Sequence, residues 1–121
     1  MAKIFLDANA LIDVSHRNTK HNQNLNNQEV YYSILSVHIL FYALKINVPN
    51  SIIQKNIASF IPIDLDKNII SLALQGPTND LEDNIQLQSA SDASCDYFLT
   101  RDKKLLKLKY FGKTQIVSKL S

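Results

Sequence analysis

Three aspartates stand at comparable places in the sequence, and together they could hold a divalent metal ion. Asp7 follows the apolar run Lys3–Leu6, and Asp102 lies just past a second run at residues 97–100. Asp83 lies in the first turn of a helix that the pattern predicts between them. Carboxylates that meet at one rim repel each other unless a cation lies between them, and oxygen-only ligands suit Mg²⁺ or Mn²⁺. Such an ion lowers the pKa of a bound water and can clamp a phosphate for in-line attack.

Each of these acids also has an ordinary structural explanation. Asp is favoured at helix N-caps, and acids in a first turn interact well with the helix dipole. Asp80 with Asp83 resembles a capping box in which Asp replaces Glu. Taken singly, each acid is more often a cap than a catalyst, so the metal prediction depends on whether the three meet.

Alternating strand and helix patterns predict the elements that must bring the acids together. Val37, Leu40, Phe41 and Leu44 have helical spacing within a predicted helix at 35–46. Asp66 and Asp80 are predicted to cap helices at 66–75 and 80–94, Pro49 to open a short helix, and residues 102–109 to form another. Strands are predicted at 3–6, 30–34, 61–63, 97–100 and 115–117.

This alternation indicates an α/β fold. We expect a three-layer α/β/α arrangement, with a mainly parallel sheet of about four to five strands, formed as a single domain over residues 1–121. The carboxyl ends of parallel strands gather at one edge of a sheet, where ligands bind. Asp7 and Asp102 are therefore predicted to lie on the same rim, and Asp83 reaches it if its helix begins on that side.

Composition narrows the class of protein. The longest apolar region, residues 34–44, is far short of the roughly 20 residues of a bilayer span, and the first residues lack the apolar core of a signal peptide. Cys95 is a lone cysteine, so no intrachain disulfide forms, and the net charge of +2 permits nucleic-acid binding without arguing for it. We expect a cytoplasmic protein with no membrane partner.

Several other chemistries lack their motifs. The sequence has no GxGxxG, no GxxxxGK[ST] and no GxSxG, and its single cysteine and three histidines show no zinc spacing. An aspartyl-phosphatase of the haloacid dehalogenase type needs a second Asp at position 9, where this sequence has Asn9.

Three segments together resemble the motifs of PIN domains. Residues 5–13 resemble the opening motif, a strand ending in Asp7 followed by Asn9, an apolar pair and Asp13. Residues 80–86 resemble the third motif of the family, and residues 96–104 the fourth. Any one of the three is weak evidence, but all three occur in the family's order and span most of the chain.

The resemblance implies both a site and a function. By this resemblance, Asp7, Asp83 and Asp102 would be the catalytic residues and would hold Mg²⁺ or Mn²⁺. The reaction would be the cleavage of single-stranded or loop RNA. Many relatives are toxins that a small antitoxin holds inactive, and many form homodimers. Four residues would orient or assist the acids, and they are Asn9, Thr100, Asp13 and Glu82.

Basic residues flank one of the acids. Arg101, Lys103 and Lys104 surround Asp102, where a scissile phosphate would lie, so we expect them to contact the RNA backbone. Arg17 and Lys20 are secondary candidates. The ordinary explanation for the lysine cluster is the solvated face of a helix.

The sequence departs from the family in the second motif. Residues 33–42 resemble the strand-to-helix segment where the family usually places Glu, or Asn in one branch, and this register puts Ile39 at that position. An isoleucine cannot ligate a metal, and the adjacent His38 is turned about 100° around the helix. Glu29 would require a different register.

Three functions remain open at this point. The first is a metal-dependent endoribonuclease of the toxin class that uses three acids. The second is a catalytically degenerate PIN-like module that binds RNA or a protein partner. A nuclease acting on DNA ends or flaps ranks lowest, because the sequence shows no helical arch or extra domain to thread a strand.

Overall fold

The computed structural model of the chain describes residues 1–17, apart from the side chain of Arg17, and residues 25–120. Lys20 and the side chain of Arg17 lie outside the described residues, so the structure places neither of these candidates for RNA contact. Over the described ranges, no helix is both long enough and apolar enough to cross a bilayer.

Strands and helices alternate along the described chain, as predicted. The strands are β1 (Lys3–Leu6), β2 (Glu29–Ser33), β3 (Ile61–Ile63), β4 (Tyr97–Leu99), β5 (Tyr110–Phe111) and β6 (Thr114–Val117). The α-helices are α1 (Ala8–Ile12), α2 (Ile34–Ala43), α3 (Ser51–Ile57), α4 (Lys67–Ala73), α5 (Leu81–Asp92) and α6 (Lys103–Leu106). A π-helical turn, Asp13–Arg17, continues α1.

The strands form one sheet in the order β3-β2-β1-β4-β6-β5. Every pairing is parallel except that of β5 with β6, which form an antiparallel hairpin. The sheet thus has six strands among the described residues, where the sequence predicted four to five. The central pair is β1 with β4, in which Phe5 lies opposite Phe98.

The core has two halves, one on each face of the sheet. Because side chains alternate between faces along a strand, Phe5 and Phe98 stack on one face at 5.2 Å while Ile4 and Leu6 pack on the other. The first half takes in buried residues of α4, α5 and α6, such as Ile69, and the second takes in those of α1, α2 and α3. The three-layer α/β/α arrangement follows directly from this alternation.

The aspartates that were predicted as helix caps do cap helices. Asp66 accepts a hydrogen bond from the Ile69 N–H at 2.9 Å, and Asp80 accepts one from the Asp83 N–H at 3.1 Å. The helix that was predicted to open at Pro49 instead begins at Ser51, because Asn50 is its cap. The predicted stripe on α2, with Leu40 at its centre, packs into the core.

The helices predicted to end at residues 46, 75, 94 and 109 all end two or three residues earlier, and the last two show the reason. The helix predicted to reach residue 109 ends at Leu106, because the chain turns at Lys109, whose φ is 65°, and enters β5. The helix predicted to reach residue 94 ends at Asp92, and Ser94 has a φ of 56°. In both places a residue in the left-handed region ends the helical path.

Candidate active site

The candidate site lies where the strand order of the sheet reverses. From β1 the chain moves outward through β2 to β3, whereas from β4 it continues on the opposite side through β6. The crevice beyond the carboxyl ends of β1 and β4 is therefore the topological switch point, where α/β sheets bind ligands. Asp7 follows β1 directly, and its N–H donates to the Leu99 carbonyl at the end of β4 at 3.2 Å.

Asp7 is buried at this crevice, with only 5% of its surface exposed. Its Oδ1 accepts the N–H of Ala10 at 2.7 Å, which makes it the N-cap of α1, and the Thr100 hydroxyl also donates to its carboxylate. Burial raises the pKa of Asp7, and the negative charge of Asp102 adds to that rise. The two hydrogen bonds and the charge of Arg101 oppose it without cancelling it.

Thr100 connects two of the three acids. It is 1% exposed, and while its hydroxyl donates to Asp7, the same oxygen accepts the N–H of Asp102 at 3.0 Å. Thr100 therefore lies between Asp7 and Asp102 and holds the side chain of Asp7 relative to the backbone of Asp102.

Asp83 approaches the other two acids from α5. Its pKa is raised to about 6, first by burial and then by the charges of Asp80, Asp102, Asp7 and Glu82, in that order. The three predicted acids therefore lie within electrostatic range of one another. They do not form a closed cage, because within residues 1–17 and 25–120 no three His, Cys, Asp or Glu side chains lie close enough to hold a metal ion.

The donors suit Mg²⁺ or Mn²⁺ in kind. All three are carboxylates, and the pKa values of Asp7 and Asp83 are raised first by burial and in smaller part by neighbouring carboxylates, whose repulsion a cation would relieve. A groove of about 580 Å³ opens beside Asp83 and Asp102, and Lys104 lines it too. Acid and base thus lie along one groove, an arrangement that can take a phosphate together with a cation.

The remaining predicted residues differ in their exposure to solvent. Asn9 and Glu82 are exposed, and so are Lys103 and Lys104 at the start of α6. Asp13 is buried in the π-helical turn. Arg101, predicted to contact RNA, is 56% exposed, but its guanidinium forms an ion pair with Asp13 at 2.6 Å.

The second-motif segment, residues 33–42, runs from the last residue of β2 into α2, a strand-to-helix passage as the resemblance implied. Ile39 is half-buried in α2 and, among the residues described, belongs to neither half of the core. His38 is exposed and stacks on Tyr42 with ring centroids 5.9 Å apart, so it faces away from the core.

Sequence reasoning missed Gln86. This side chain is 3% exposed, and its Oε1 accepts the N–H of Ala8, the residue after Asp7, at 2.7 Å. The available signal was a polar residue at the i+3 position from Asp83, on the same side of a helix otherwise lined with small and apolar residues.

No family model and no curated protein sequence matches the chain. Among solved structures, it is similar to a chain in the crystal structure of VapBC2 from Rickettsia felis bound to a DNA fragment from their promoter. The TM-score is 0.68 at 12% sequence identity, and the match covers 95% of this chain and 97% of that one. At this identity the likeness concerns the fold, and the predicted three-layer, PIN-like α/β/α fold is confirmed.

Proposed function

We propose that the protein is a metal-dependent endoribonuclease that hydrolyses RNA phosphodiester bonds with Asp7, Asp83 and Asp102. The observation that carries the proposal is the proximity of these acids at the switch point of the sheet, where the charge of Asp102 contributes to the raised pKa values of Asp7 and Asp83. Mg²⁺ or Mn²⁺ bound by the three would supply an activated water and stabilise charge on the phosphate.

The protein's own groups have separate tasks in this proposal. Thr100 orients Asp7 and the backbone of Asp102 through its two hydrogen bonds. Lys104 lines the groove beside Asp83 and Asp102, where its ammonium group can neutralise a phosphate of the bound strand.

We further propose that this nuclease is the toxin of a toxin–antitoxin pair. The support is the likeness to a chain of VapBC2, which was solved bound to a DNA fragment from their promoter, together with the three sequence motifs. The expected partners are RNA, a small antitoxin protein and a second copy of the chain.

A catalytically degenerate module that binds RNA or a protein is the second candidate, and two observations favour it. By the register of the resemblance, Ile39 stands where the family usually has Glu, or Asn in one branch. In addition, Arg101 already neutralises the buried Asp13 beside the site. In this alternative the acids remain, but the site no longer holds a metal well enough for catalysis.

A thermal melt with and without millimolar Mn²⁺, combined with an RNA cleavage assay, separates the two candidates. Wild type should gain about 2.7 kcal/mol at a Mn²⁺ concentration 100 times the dissociation constant. Asp7→Asn should lose that gain and the cleavage while keeping its helix, because Asn also caps helices well. Asp64→Asn, at an exposed acid between β3 and α4, is the matched control and should behave as wild type.

The outcomes distinguish the candidates. A melt that Mn²⁺ leaves unchanged in wild type would refute the metal site and favour the binding module. A metal response without cleavage of any single-stranded or hairpin RNA would also favour the module, with the metal site retained.

A further inference from the structure

The side chain of Gln86 links the helix that carries Asp83 to the residue that follows Asp7. It lies on α5, one turn after Asp83, and its Oε1 accepts the Ala8 N–H at 2.7 Å across a sequence separation of 78 residues. Its Nε2 reaches the carbonyl of Glu82 at 3.4 Å, so the amide is oriented by its own helix. A buried amide is costly unless paired, which makes this bond a fixed link between α5 and the start of α1.

The bond also gives the first N–H group of α1 an acceptor from another helix. The first N–H groups of a helix have no partner within it, and Ala8 supplies the first such N–H of α1. Gln86 accepts that N–H, while Asp7 accepts the N–H of Ala10 and the Thr100 hydroxyl. Gln86 and Asp7 thus fix the first turn of α1 together, one through the Ala8 N–H and the other through the Ala10 N–H.

We infer that Gln86 is a positioning residue, which sets the separation of Asp7 and Asp83 by tying the turn after Asp7 to the helix that carries Asp83. The role in metal binding rests on the proposed function, but the positioning itself does not. A neutral amide achieves this without adding a further negative charge to a crevice that already holds three carboxylates.

Four variants test this link from both of its ends. Gln86→Met removes the acceptor at similar volume, and Gln86→Glu keeps an oxygen acceptor at the same length. Ala8→Pro removes the donor instead, at the first position of a helix, where Pro is favoured, and the extended ψ of 174° at Asp7 suits a residue before Pro. Ser89→Ala is the matched control, because it removes a buried hydrogen bond to the Ile85 carbonyl farther along α5.

The first measurement is the Mn²⁺ dissociation constant from titration of the free ion. Gln86→Met and Ala8→Pro should each weaken binding about tenfold or more, the range typical of groups that orient metal ligands. Their effects should not add in the double variant, because both remove the same bond. Gln86→Glu should retain Mn²⁺ binding, and Ser89→Ala should lose stability without losing affinity.

The second measurement needs no metal. In ¹⁵N-resolved NMR spectra without Mn²⁺, the Ala10 amide proton should shift in Gln86→Met, because losing the bond at Ala8 frees the start of α1 to move and so alters the hydrogen bond from the Ala10 N–H to Asp7. The same proton should stay in place in Ser89→Ala.

The outcomes separate the positioning role of Gln86 from the proposed function. Unchanged Mn²⁺ affinity in both Gln86→Met and Ala8→Pro, or an additive loss in the double variant, would overturn the positioning role. Absence of Mn²⁺ binding in wild type would overturn the proposed function alone. The Ala10 shift then decides the inference, and an unmoved Ala10 proton would reject it.

Discussion

At the residue scale, Asp83 shows how burying a carboxylate beside other acids affects stability. Its folded pKa of about 6 exceeds the ordinary value of 3.8, with burial as the main cause. The folded protein therefore keeps this proton to higher pH than the unfolded chain does. The stability that Asp83 contributes is full below pH 3.8 and is lost as pH rises through 6.

Asp83→Asn should therefore raise the melting temperature at pH 7.5 without metal, by roughly a few degrees, and should give little gain near pH 4. The measurement is a set of melts in chelator across pH 4–8. Glu82→Gln, at an exposed acid in the same helical turn, is the control and should show a smaller pH-dependent gain. If Asp83→Asn were no more stable than wild type at pH 7.5, the charged Asp83 would not destabilise the folded protein, and the prediction would be wrong.

Single residues also show where sequence reasoning reaches its limit. The strand-then-acid pattern correctly predicted that Asp7 and Asp102 would share a rim, because parallel strands end on one edge. The ion pair of Arg101 with Asp13 could not be predicted, because it depends on a π-helical turn that brings Asp13 to face the end of β4. The contact of Gln86 with Ala8 likewise depends on how α5 packs against the sheet.

At the scale of elements, the packing of α2 bears on whether Ile39, in the second-motif segment, faces the crevice. Leu40 is buried and Val37, Phe41 and Leu44 pack against the same half of the core, while half-buried Ile39 lies outside both halves among the described residues. If Ile39 lines the crevice, Ile39→Glu adds a fourth carboxylate. We expect that variant to bind Mn²⁺ more tightly than wild type and to increase any RNA cleavage.

The test is a melt of Ile39→Glu with and without Mn²⁺, beside the cleavage assay. His38→Glu, one position earlier on the exposed side of α2, is the control and should leave the metal response unchanged. A strongly destabilised Ile39→Glu that Mn²⁺ does not rescue would mean that an unpaired charge had been buried. The register that places Ile39 at the family's acid position would then be wrong.

Elements with a clear period or a cap were predictable from sequence, and those shaped by tertiary contacts were not. The predicted helix with Leu40 in its stripe and the helix capped by Asp80 both formed with small shifts at their ends. Strand β5 was missed because two residues show no alternation. It forms because Gly112, with a φ of 60°, lets the chain turn back and pair with β6.

For the whole molecule, the charge distribution matters more than the net charge of +2. Lys103 and Lys104 begin α6 next to Asp102, and Lys104 lines the groove that Asp83 and Asp102 also line. A nucleic-acid strand in this groove would meet the lysines as its scissile phosphate reached the acids. The lysines should therefore supply the salt-dependent part of RNA affinity.

The final prediction concerns that salt dependence. Binding of single-stranded RNA is measured in the Asp7→Asn background, which prevents cleavage, at several salt concentrations. Adding Lys103→Ala and Lys104→Ala together should reduce the slope of log affinity against log salt, by about 0.7 for each phosphate that the lysines no longer neutralise. Lys45→Ala with Lys55→Ala, at exposed lysines after α2 and in α3, is the matched control and should leave the slope unchanged. If the slope were the same with and without the Lys103 and Lys104 substitutions, the RNA strand would bind elsewhere. If the slope fell equally in both double-lysine variants, the effect would come from net charge alone.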